Sequence, residues 1–141
     1  MFQAISSNGF RCVRWLVPLV AFGFGLVTAG VSANGQTYPV IALAGDASAP
    51  EHFAADELAA HLKEATGHSF EIIEPAAAGE RAVIAVGPGA ARAIDPTVDL
   101  DFKSLGHEGI VLRSVGKNLI LSGAIGSKRG SIYAVETYLQ D

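Results

Sequence analysis

The sequence predicts an α+β domain, with two helices packed on a mixed β-sheet of about five strands in the order β-α-β-β-β-β-α. Three observations lead there. Residues 50–67 carry a helix start, an apolar stripe and a glycine stop. Ala82-Val-Ile-Ala-Val86 is a wholly apolar run of strand length. Residues 109–122 read as two apolar, β-branched runs about Gly116-Lys117-Asn118, the pattern of a hairpin.

Each element has its own reason. Tyr38-Pro-Val-Ile-Ala-Leu43 is short and β-branched, a first strand. Ser48 stands three residues before Glu51, the capping-box spacing, with Pro50 in the first turn where its missing N–H costs little. Ala54, Ala55, Leu58, Leu62 and Ala65 then share one side of the wheel, and Gly67 supplies a left-handed stop. Ser69–Ile73 is a second strand, closed by Glu74-Pro75. Residues 82–86 form a central strand buried on both faces. Gly87-Pro88-Gly89 breaks it, leaving a turn of helix over 90–94 and then loop. The hairpin follows, and Ser127–Gln140 is a final helix with Ile132, Val135, Tyr138 and Leu139 on one face.

The ends point to secretion. Arg11 and Arg14 precede an uncharged apolar run from Trp15 to Val31, and Val31-Ser32-Ala33 offers the small residues of a cleavage site. Residues 1–33 therefore read as a signal peptide and 34–141 as the mature domain, secreted or periplasmic, with no membrane contact after cleavage. Cys12 leaves with the leader, so the domain relies on packing or on a larger protein around it. The formal net charge moves from −4 for the whole chain to −6 for the mature part. An acidic domain without a basic run is not a nucleic-acid binder. The chain stops at Leu139-Gln140-Asp141, inside a helix, which predicts a fragment, or a truncated gene product, of a longer secreted protein.

Candidate chemistry gives way to plainer readings. Gly87-Pro-Gly-Ala-Ala-Arg92 follows a strand as a dinucleotide fingerprint does, but Arg92 stands where the third glycine belongs. A nucleotide-using enzyme rests on that broken motif alone. Glu57, His61 and Glu64 share a helix flank without the His-Glu-x-x-His order, and read as a solvated edge. His107-Glu108 has no nucleophile or second carboxylate placed beside it, and His52 and His68 stand isolated. Asp99 and Asp101 lie in an irregular loop without supporting strands, and are not read as a glycosidase acid and nucleophile. No catalytic residue, cofactor or metal ligand is assigned. Phe53 and Tyr133, off the core faces of the two helices, are the candidate interdomain contacts.

Several segments together resemble one family. They are Ala54-Ala-Asp-Glu-Leu-Ala-Ala-His-Leu-Lys-Glu-Ala-Thr-Gly67, Ala82-Val-Ile-Ala-Val-Gly87, Gly106-His-Glu-Gly-Ile110, Leu119-Ile-Leu-Ser-Gly123 and Arg129-Gly-Ser-Ile-Tyr-Ala-Val135. Residues 38–141 look like the N-terminal domain of bacterial alpha-glucuronidases and related secreted glycoside hydrolases. The architecture is similar to the N-terminal domain of beta-N-acetylhexosaminidases. The resemblance implies a non-catalytic domain whose partner is a downstream catalytic (β/α)₈ barrel of the same polypeptide. That barrel would meet the carbohydrate substrate, such as glucuronic-acid side chains of xylan, and none of its residues is present here. A carbohydrate-binding or cell-surface module is the alternative. Against it, the mature part has no Trp for stacking on sugars.

Overall fold

A computed structural model describes residues 39–140. The expected leader, with Arg11, Arg14 and Cys12, lies outside the described residues, as do Tyr38 and Asp141. The domain is α+β, with helices on a mixed five-stranded sheet, as the patterning predicts. The strands are β1 (Val40–Leu43), β2 (Ile72–Ile73), β3 (Val83–Val86), β4 (Ile110–Val115) and β5 (Asn118–Gly123). The helices are α1 (Ala49–Thr66), α2 (Gly87–Ile94), the single turn α3 (Phe102–Leu105) and α4 (Gly130–Gln140).

The spatial order is β2-β1-β3-β5-β4. β1 runs parallel to β2 and β3, and β3 parallel to β5; β4 returns antiparallel along β5. In the three central strands side chains alternate between two cores. Val40, Ala42, Val83, Ala85 and Ile120 face one side, where Ala90 and Ala91 of α2 and Leu100 cover them. Ile41, Leu43, Ile84, Val86 and Leu121 face the other, against Ala54, Ala55 and Leu58 of α1 and Ala134 and Val135 of α4. Burial on both faces is why the central strands read as unbroken apolar runs.

The expected elements are present, with shifted ends. In α1 the Glu51 carboxylate accepts the Ser48 N–H at 2.7 Å, the capping-box contact. Gly67 (φ +76°) ends the helix, its N–H bonded to the Lys63 carbonyl at 2.8 Å. Ala65, expected on the core face, is exposed, because the last turn of α1 passes the narrow edge formed by the two-residue β2. Asn118 belongs to β5 and not to the hairpin turn: it pairs with Val115, and its Oδ1 accepts the Val83 N–H at 3.0 Å.

α4 begins at Gly130, three residues later than expected. Ser127 stays outside it, where its Oγ accepts the Gly130 N–H at 2.9 Å and donates to the His107 carbonyl at 2.7 Å. The main difference is α2. Where the sequence suggested a break followed by one helical turn, the helix starts at Gly87 itself and roofs the second face of the sheet.

Candidate functional site

The strand order decides where a site can form. β1 and β3 are parallel neighbours, yet α1 leaves β1 toward one face and α2 leaves β3 toward the other. Between two such connections the carboxyl end of the sheet opens into a crevice, the place where open sheets of this kind hold ligands. A cleft of about 520 Å³ occupies that position. Its walls are the β1–α1 loop with Asp46 and Ser48, the first turn of α1 with Glu51, α2 with Pro88 and Gly89 in its first turn and Arg92 in its last, and the β5–α4 loop with Ile125 and Lys128.

The glycines after β3 shape this cleft. Gly87 holds φ +84°, and a Cβ there would lie 3.1 Å from Cδ of Glu51. The left-handed turn lets the chain pass straight from strand to helix beneath the Glu51 side chain. A Cβ on Gly89 would meet the Ala44 Cβ at 2.6 Å, so this glycine lets α2 press against the end of β1. Both glycines thus have a packing reason independent of any nucleotide, and Arg92 occupies the cleft wall.

Charge in the cleft is divided. Glu51 already accepts the Ser48 N–H, and Asp46 stands beside Gly89, its Oδ1 3.7 Å from the position of a Cβ there. Arg92 and Lys128 form no ion pair among the described residues. A second recess of about 300 Å³ adjoins at Gly126 and Lys128, lined also by His107, Glu108, Arg129 and Tyr133. The hydrogen bond with Tyr133 raises the pKa of the Arg129 guanidinium above its ordinary value, with further attraction from Tyr133 and Glu108.

The two candidate contact residues lie apart. Phe53 is 52% exposed at a groove between α1 and α4 that His61, Ile132 and Leu139 also line. Tyr133 is half-buried in the recess beside Arg129, so the two aromatics serve different clefts. Several other titratable residues find local partners. His61 Nε2 lies 3.6 Å from Glu57 Oε2 on the open flank of α1, both side chains about half exposed. No group of three or more His, Cys, Asp or Glu side chains that could hold a metal ion occurs among the described residues.

Asp99 accepts the Asp101 N–H at 3.0 Å, and Asp101 accepts the Lys103 N–H at 3.0 Å to start α3. The Asp101 N–H and the Ser104 hydroxyl lower the pKa of Asp99, the opposite of what a general acid needs. His107 packs edge-on against Phe102, ring centroids 4.5 Å apart. Asp95, not singled out by its pattern, is almost buried: it accepts both the hydroxyl and the N–H of Thr97, at 2.6 and 2.9 Å, and faces Arg113 at 3.2 Å.

The grouping of Asp46, Arg92 and Lys128 was not visible in the sequence, since each stands on a separate connection. The available signal was positional. A glycine pair following a wholly apolar central strand marks the carboxyl end of the sheet. No protein-family model matches the chain, and no curated protein matches it closely enough to count as a relative. Among the described residues no helix is long and apolar enough to cross a membrane.

Proposed function

We propose that this is the non-catalytic N-terminal domain of a secreted glycoside hydrolase of the alpha-glucuronidase type. In that reading it is an accessory to a catalytic barrel that follows it in the same polypeptide and acts on polysaccharide, with xylan side chains as the substrate class. One observation carries the reading: residues that convey the family resemblance serve the packing and the helix ends of the fold. Ala54 and Ala55 lay α1 on the sheet, Gly67 ends that helix, and Gly123 meets Gly130 where α4 crosses β5. Such a motif is architectural, and it belongs to a domain selected for its shape.

The carboxylates support the same reading. Asp95 and Asp99 have lowered pKa values, each through hydrogen bonds to its own loop. An acid–nucleophile pair needs instead one carboxyl raised into the neutral range. Phe53, exposed on α1, is where the barrel would touch.

The full chain, purified and incubated with aldouronic oligosaccharides and aryl glycosides, is expected to hydrolyse none of them; turnover that follows the protein through purification would overturn the proposal. Titration with xylan separates the accessory domain from a carbohydrate-binding module, since saturable binding by this chain alone belongs to the module. The coding sequence downstream of Asp141 is the third arm. A frame encoding a barrel supports the reading, and a stop codon there overturns it.

A further inference from the structure

We propose that the cleft at the β1/β3 switch point binds a small hydroxylated oxyanion, a carboxylate or a phosphate, through Arg92 and Lys128. The inference is independent of the accessory-domain reading and stands on the cleft itself.

The first argument is the pairing of cations. Beyond residue 33 the chain carries eight basic against fourteen acidic residues, so a cation has acids to spare. Arg81 takes Glu71 at 2.8 Å and Arg113 takes Asp95 at 3.2 Å. Lys117 donates to the Glu80 carbonyl. Arg92 and Lys128 take no carboxylate among the described residues, although Asp46 and Glu51 line the same cleft. Lys63 and Lys103 also form no ion pair among the described residues, but Arg92 and Lys128 are the two that converge, from separate connections, on one concavity. An oxyanion is their natural complement, held by charge-assisted hydrogen bonds.

The second argument is what else the ligand meets. The Glu51 carboxylate is engaged by the Ser48 N–H and stays with α1. Its remaining acceptor capacity and the Asp46 carboxylate accept hydrogen bonds and repel a second anionic group. A ligand that satisfies both sides carries its charge at Arg92 and Lys128 and hydroxyl donors toward Asp46 and Glu51. Pro50, Pro88 and the 40% exposed Ile125 give the apolar part of the wall. The volume of about 520 Å³ suits a small molecule.

The test is a titration of the full chain at low salt, followed by calorimetry and by amide chemical shifts. The probes are gluconate, glucose 6-phosphate, inorganic phosphate and neutral glucose. Saturable binding of at least one anion but not of glucose is expected, and whether gluconate or the phosphates bind tells which oxyanion the cleft takes. Arg92→Gln and Lys128→Gln should each weaken binding about tenfold, the loss of one charge-assisted hydrogen bond. Lys63→Gln, on the open flank of α1, should leave it unchanged. Both cleft positions are at the surface, and an unaltered circular dichroism spectrum establishes that the variants fold. The proposal is overturned if no anion saturates, if glucose binds equally well, or if both cleft variants bind like the parent.

Discussion

Gly123 at the end of β5 and Gly130 at the start of α4 meet backbone to backbone. A Cβ on Gly123 would lie 2.5 Å from the Gly130 Cα, and a Cβ on Gly130 would lie 2.6 Å from the Gly123 Cα. The obstacle in each case is main chain, which cannot rotate away as a side chain can. This contact lets α4 enter close over the sheet and bury Ala134 and Val135 against it. Gly130→Ala and Gly123→Ala are each expected to cost about 1–3 kcal/mol, the range for forced overpacking. Urea unfolding measures it, and a midpoint unchanged in both variants would show that the helix can lift without penalty.

Gly67 is constrained differently. A Cβ there would meet nothing within 4 Å, but the residue holds φ +76°. Gly67→Ala is therefore expected to cost roughly 1–2 kcal/mol through backbone conformation alone. Gly67→Asn should recover part of that loss, because Asn tolerates the left-handed region. Substituting Asn at Gly130 should rescue nothing, and the pair of thermal midpoints distinguishes the two kinds of glycine.

Elements with a local signature were legible from the sequence. α1 announced itself through Glu51, its alanine-leucine stripe and Gly67, and β3 through five consecutive apolar residues. α2 did not. It has only eight residues, two of its first three are glycines, and its buried contacts are chiefly Ala90 and Ala91, which weigh little in any periodicity. A helix that short is held by tertiary packing and not by propensity. The cleft was hidden for a related reason. Asp46, Arg92 and Lys128 are brought together by the order β1-β3-β5, a long-range pairing that no local pattern encodes. Phe53 could be placed off the core face from the wheel alone, whereas the recess around Tyr133 depended on where the His107–Glu108 loop folds back.

Asp95 makes the domain sensitive to acid. The Thr97 hydroxyl lowers its pKa most, followed by the Thr97 N–H; burial opposes them, and the weaker attraction of Arg113 lowers it further. A folded-state pKa below the unfolded value of roughly 3.9 means that the stabilisation is complete above about pH 4. It is then lost as pH falls through the folded pKa. Asp95→Asn should lower the thermal midpoint at pH 7, and the gap from the parent should close on descending toward pH 2. A gap of constant size across that window would show that the carboxylate charge contributes nothing.

The Asn118 side chain continues the sheet where the backbone ladder stops. β3 and β5 pair from Ile84 with Leu119 onward, and one step earlier the Val83 N–H finds the Asn118 Oδ1 at 3.0 Å. Val83 is only 3% exposed, so its amide has little access to water as a substitute acceptor. Asn118→Ala removes the acceptor and leaves the donor buried, an expected loss of about 1–3 kcal/mol. Asn118→Asp keeps an acceptor in the same place and should retain most of the stability, while Asn118→Leu should behave like Ala despite its larger apolar surface. Urea midpoints of the three variants test this. If Leu matched Asp, side-chain bulk rather than hydrogen bonding would be what position 118 supplies, because only the carboxylate and the native amide can receive the Val83 N–H.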